Sequence, residues 1–130
     1  MSFRIGNTYS RRQISDVLGG QLQDYLPTCD GRVVCGCFKP EKRWNPDAPG
    51  EVVFGSGPRV ERAARLAVAT DEPIPIFIFT KSSGSWKYVG DHRCMGVSFR
   101  RALCLEKERS NPDRGEIVGV LWFEPASEAA

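Results

Sequence analysis

Asp91-His92-Arg93-Cys94 contains the chain's single histidine, with an acid on one side and a thiol two residues on. Nucleophilic chemistry here would need thiol and imidazole within hydrogen-bond reach and a third group to orient the base. No GxSxG, HExxH, CxxC or SxxK pattern accompanies the trio. A small hydrolase or transferase using Asp91, His92 and Cys94 is therefore only a third reading, and no catalytic residue is expected. The five cysteines (Cys29, Cys35, Cys37, Cys94, Cys104) are an odd number without framework spacing. Cys35-Gly36-Cys37 lies in a strand-like run, where alternation sends the two thiols to opposite faces. Neither a metal site nor a cofactor is expected, and the thiols read as reduced and partly buried.

Binding chemistry is better represented. Tyr9, Tyr25, Trp44, Trp86 and Tyr88 fall in or beside loops and hairpins, interleaved with Arg11, Arg12, Lys39, Lys42, Arg43, Lys81, Lys87 and Arg93. Aromatic faces for stacking, with positive charge in neighbouring loops, are what an unstacked base and its phosphates require. The same residue types also make ordinary core and solvated surface, so at this point a nucleic-acid surface and plain packing both stand.

Those residues depend on a few elements. The central one is residues 73–91, PIPIFIFTKSSGSWKYVGD. Its apolar run reads as a buried strand, starting at a sheet margin because Pro73 and Pro75 cannot donate. The turn at 81–85 and a return strand at 86–89 complete a hairpin. Trp86 and Tyr88 share one face, and Gly90-Asp91 is expected to close the unit. Ser10-Arg-Arg-Gln13 is a capping box for a helix over 11–18, stopped by Gly19-Gly20. Arg11 and Arg12 in its first turn oppose the helix dipole, which suits either solvated surface or phosphate contacts.

A loop at 21–27 follows, then a strand over 32–38, a proline- and charge-rich stretch at 39–50 around Trp44, and a strand at 51–54. Gly55-Ser-Gly-Pro58 opens a second helix with an apolar face of Val60, Ala63, Ala64, Ala67 and Val68. Half a GxGxxG without GK[ST] is not a nucleotide loop. Residues 93–105 read as one or two strands and 116–124 as a last buried strand. Connections look too short for βαβ crossovers. The expected class is α+β: a strongly bent, mainly antiparallel sheet or open β-barrel with two outer helices. One domain should span 1–125, with a frayed tail at 126–130.

With 130 residues, 41% apolar and 26% charged, one soluble core is expected. A net charge of +2 permits an anionic partner without demanding one. No run is long enough to span a membrane, and Met1-Ser2-Phe3-Arg4 lacks a signal peptide's apolar core, which points to the cytoplasm.

Tyr9-Ser-Arg-Arg-x-Ile14, Leu18-Gly-Gly-Gln21 and Trp86-Lys-Tyr-Val-Gly-Asp91 resemble segments of SRA-like (SET- and RING-associated-like) modules of bacterial modification-dependent restriction systems. Asn45-Pro-Asp-Ala-Pro49, Gly55-x-Gly-Pro58 and Pro73-Ile-Pro-Ile-Phe77 are similar to further shared segments, so the likeness covers most of 5–97. It implies a PUA-like barrel that binds double-stranded DNA, flips a modified cytosine, 5-methylcytosine first, and stacks it between aromatics. By position, Tyr88 would be one wall. The Tyr–Asp segment that supplies the second wall and an acid has no match here, and Trp44 with Asp47 is the candidate substitute.

The resemblance thus implies a base pocket of Trp44, Asn45, Asp47, Trp86, Tyr88 and Asp91. Tyr9, Arg11, Arg12, Gln21, Tyr25, Arg43, Gly57, Lys81 and Arg93 would hold the DNA backbone and groove. It implies reading without cutting, with a nuclease partner in trans. The alternative is a PUA-like module that binds RNA or another protein.

Overall fold

Ser10 accepts from the Gln13 amide at 3.1 Å, and the Gln13 side chain accepts from the Ser10 amide at 2.8 Å. This reciprocal cap starts helix α1 (Arg11–Leu18) directly after the two-residue strand β1 (Thr8–Tyr9). The computed structural model describes residues 3–40, 45–112 and 115–126. Then come β2 (Thr28–Cys29), β3 (Arg32–Val33), β4 (Gly36–Phe38), β5 (Glu51–Phe54), α2 (Pro58–Ala69), β6 (Ile74–Thr80), β7 (Ser85–Ser98), α3 (Arg101–Ser110) and β8 (Gly119–Pro125).

The main sheet runs β4-β6-β7-β8-β5, with β1 added on β7, while β2 and β3 form a separate hairpin. It is curled into a half-barrel. Every pair is antiparallel except β4 with β6, so the mixed, mainly antiparallel sheet is as expected. That parallel pair corrects the expectation of no crossover: β5 and α2 lie on the connection between its two strands.

The barrel interior collects Leu26, Val33, Phe38, Val52, Phe54, Ala63, Ala64, Ala67, Ile76, Leu121 and Phe123 in one buried cluster. Phe38 on one edge strand reaches Phe123 on β8, ring centroids 5.5 Å apart, across the curl. Tyr25 sits between the open edges, 6.5 Å from the Phe38 ring and 6.3 Å from the Phe54 ring. Its carbonyl accepts from the Cys37 amide at 2.8 Å, which covers an edge strand with a loop. At Gly119 the Phe54 ring lies where a Cβ would stand, so the β5–β8 contact admits only glycine.

Four expectations are corrected. Residues 101–110 form a third helix, of which 101–105 were read as strand. Ala102, Leu103, Leu105, Glu106, Lys107 and Glu108 all favour helix, and the four-residue apolar run 102–105 cannot separate the two periods. Cys104 on that helix packs with Val53, Ile117 and Val120 as a third cluster. Next, β7 does not end at Gly90-Asp91. It continues to Ser98, pairing first with β6 and then with β8, with register shifts at Pro75/Phe77 and Cys94/Gly96. Gly90 takes a φ of +100° inside the strand, so the glycine marks an irregularity and not an end.

The run 32–38 is two strands with different partners, broken at Val34-Cys35. Finally, Val68 is 40% exposed at the end of α2, and Leu66 packs against the core in its place. In the expected tail, the Ala126 amide donates to the Asp91 carbonyl at 2.9 Å, and 127–130 lie outside the described residues.

Candidate functional site

The two faces of the β6–β7 ladder bury into different clusters. Ile74 and Ile76 face the barrel interior, while Phe77 and Trp86 pack outside it with Ile14, Cys35 and Cys37, flanked by Phe3, Tyr9, Phe79 and Tyr88. Helix α1 closes this second cluster through Ile14. At one end the closure is incomplete. A cavity of about 590 Å³ opens between the loop after α1, strand β4 and the start of β7, lined by Arg11, Leu22, Gln23, Tyr25, Cys37, Phe38, Lys39, Asn45 and Trp86. That volume lies within the roughly 300–1,000 Å³ of ligand pockets.

Each wall has a local cause. Trp86 stands opposite Phe79 across the hairpin and opposite Tyr9 on β1. Its ring lies 5.1 Å from Phe79 and 5.2 Å from the Arg11 guanidinium. Arg11 also donates to the carbonyls of Gln21 and Asp24, both at 2.9 Å. The first-turn arginine is thus the strut that shapes loop 21–24, and its charge comes to the cavity already partnered. Gln21 is likewise engaged, accepting from the Thr28 amide at 2.8 Å and donating to the Thr28 hydroxyl at 3.0 Å. Leu22 and Gln23 form the exposed tip of the loop. Tyr25 donates its hydroxyl to the Val60 carbonyl at 2.7 Å. Burial first, then the nearby Cys94, Asp24 and Glu61, pushes its ionisation well above the ordinary range. Lys39 sits at the rim, 5.0 Å over the Phe79 ring.

Of the expected base-pocket residues, the structure brings Trp86 and Asn45 to this cavity. Asn45 uses both ends of its amide on Val53, accepting from its N–H at 2.7 Å and donating to its carbonyl at 3.3 Å. It pins the 45–50 turn to β5. Tyr88 is two residues from Trp86 on the same face, yet it packs against Phe77, 5.5 Å away, and Phe3, 5.9 Å away. Its hydroxyl donates to the Asp91 carboxylate. Neither Tyr88, Asp91 nor Asp47 lines the cavity. Trp44 and Arg43 lie outside the described residues.

The expected backbone contacts are scattered. Tyr9 packs edge-on to Phe3 at 4.9 Å, and its hydroxyl oxygen accepts from the Arg4 amide at 2.9 Å. Arg12 is exposed on α1, and Lys81 is exposed in the turn beyond the Thr80–Ser85 pair, at the Trp86 end of the hairpin. Arg93 stands toward the other end of β7, in register with Glu124. The Gly57 amide donates to the Glu61 carboxylate at 3.2 Å, so an acid of the same helix occupies the place foreseen for a phosphate.

His92 is buried, with Nδ1 3.1 Å from the Gly90 carbonyl, and the Cys94 thiol is directed at the Gly96 carbonyl at 3.9 Å. Both groups are turned to their own strand. Cys35 and Cys37 correct another expectation: their sulfurs lie 4.0 Å apart on one side. Strand β4 begins only at Gly36, so alternation does not govern the pair. Sequence reasoning singled out the 21–25 loop without naming Leu22 and Gln23 in it, and missed Phe38 and Cys37 as cavity residues. Only the exposed Leu22 beside a Gly-Gly carried a signal.

No protein-family model matches the chain, and no curated protein matches it. A solved structure, the SUVH5 SRA–hemimethylated CG DNA complex, is similar with a TM-score of 0.62 at 10% identity. The match covers 97% of this chain and 90% of that one. At that identity the likeness is one of fold, and the fold here is SRA-like. In that structure the SRA domain is bound to hemimethylated CG DNA.

Proposed function

We propose that this protein binds double-stranded DNA carrying a modified cytosine, 5-methylcytosine first, and takes the flipped base into the cavity beside Trp86. The observation that carries the reading is the cavity itself: aromatic on its walls, cationic at its rim, and set in an SRA-like fold whose solved counterpart is a DNA complex. Stacking on an aromatic face offsets the few kcal/mol that unstacking a base costs.

In this proposal Trp86 and Tyr25 are the walls. Among the described residues no carboxylate lines the cavity, so reading of the base edge moves from Asp47 and Asp91 to the Gln23 amide, which can both donate and accept. The Leu22–Gln23 tip enters the gap that the base leaves. Lys39, Arg12 and Lys81 meet phosphates, while Arg11 holds the loop. The protein reads and does not cut; the restriction setting with a nuclease in trans belongs to the same proposal.

A titration of matched duplexes carrying cytosine, 5-methylcytosine or 5-hydroxymethylcytosine, at two salt concentrations, tests it. A preference of about tenfold or more for one modified duplex, lost in Gln23→Ala, is expected, with affinity falling as salt rises. Equal, weak binding to all three would overturn it. Competition by single-stranded RNA as strong as by the modified duplex would favour the RNA-binding alternative.

A further inference from the structure

Cys37 lines the cavity, and Cys35 lies beside it in the buried cluster that holds Trp86. Cys35 is fully buried, and Cys37, 3% exposed, is part of the cavity lining. Their sulfurs are 4.0 Å apart. A disulfide requires about 2.05 Å, so closure needs each sulfur to swing by roughly 1 Å about its Cα–Cβ bond. The residue between them is glycine, into whose missing side chain Ile76 and Phe38 pack, so the small ring meets no side chain of its own.

The surroundings divide the two thiols. With Cys35 donating, its own ionisation is pushed up by that hydrogen bond and by burial. The same bond holds Cys37 below the ordinary thiol range, helped by the Arg11 guanidinium and opposed by burial. An attacking thiolate on the cavity side and a thiol behind it are the two parts of a redox dithiol.

We propose that Cys35 and Cys37 are a redox-active pair at the cavity floor, converted to a disulfide by a peroxide that enters the cavity. The Cys37 thiolate attacks the peroxide O–O bond, forming a sulfenic acid and releasing hydroxide, which leaves as water after taking a proton. The Cys35 sulfur then displaces the sulfenic oxygen, its proton leaving with that oxygen as a second water. The two thiols lose two electrons, and hydrogen peroxide is reduced to two waters. The chemistry stands whatever ligand the cavity takes.

The test is hydrogen peroxide treatment of the folded, reduced wild-type protein, followed by alkylation and peptide mass mapping. Cleavage after Arg32 and Lys42 releases both cysteines in one peptide that holds no other. The expected product is that peptide lighter by two hydrogens, restored by dithiothreitol, and formed roughly tenfold faster than the equally buried Cys104 is lost. In Cys35→Ser, Cys37 should pass on to sulfinic acid. Pairing with Cys29 or Cys94 in the wild type, or oxidation of Cys37 without pairing, would overturn the proposal.

Discussion

Trp86 and Tyr88 are two residues apart on one face of one strand, and they have different fates. Trp86 is buried, borders an open cavity and carries an arginine on its ring, whereas Tyr88 is half-buried, packs against Phe3 and Phe77 and is tied to Asp91. Strand alternation assigns both to the same side. What separates them comes from elsewhere: Phe3 of the N-terminal segment packs on one, and the loop after α1 leaves a cavity beside the other. A binding wall is therefore a core residue from which a neighbouring loop has been held back.

The sharpest way to break this contrast is at Trp86. Trp86→Ala should cost about 3–5 kcal/mol of stability, read by denaturant unfolding, because a large buried ring is lost. The milder Trp86→Phe should stay folded and lose duplex preference. Tyr88→Phe in the same assay should keep that preference. The reverse pattern would exchange the two roles.

Arg11→Lys comes next. A lysine cannot span two carbonyls and hold its charge over the indole together, so about 1.5–3 kcal/mol should be lost. Proteolysis within 21–24 should accelerate; unchanged rates would mean that the loop holds itself.

Tyr25→Phe removes one hydrogen bond to Val60 and should cost about 1 kcal/mol near neutrality. Its pH dependence is more telling. The folded state holds the phenol neutral, so the stabilisation is complete below the ordinary tyrosine value of 10.0 and falls as pH rises above it, where only the unfolded chain ionises. Unfolding midpoints measured upward from that pH should decline less steeply in the variant. The smallest effect belongs to Tyr88→Phe, about 1 kcal/mol or less for a hydrogen bond at the exposed edge.

Local signals were legible where the chain resolves its own ends. The Ser10–Gln13 box and Gly19 bound α1, and Pro58 begins α2. The apolar run of β6 was equally plain. Residues 101–110 and the length of β7 were not, because a helix packed on β5 and β8 and a strand that changes partners depend on tertiary neighbours. Of the site, Trp86 was visible as an aromatic beside a turn. Arg11 was visible only as a charge at the wrong helix end, and its work on two carbonyls needed the loop in place. The facing thiols of Cys35 and Cys37 were hidden by a break at Val34-Cys35 in a run that alternation treated as one strand.

Base extraction is the central claim, and its most direct measurement places 2-aminopurine beside the modified cytosine of a short duplex. Fluorescence should rise when wild-type protein binds, as the neighbour loses its stacking partner, and the rise should shrink strongly with Trp86→Phe. Saturating binding with no rise would leave the cytosine stacked in the helix and contradict a base held against Trp86.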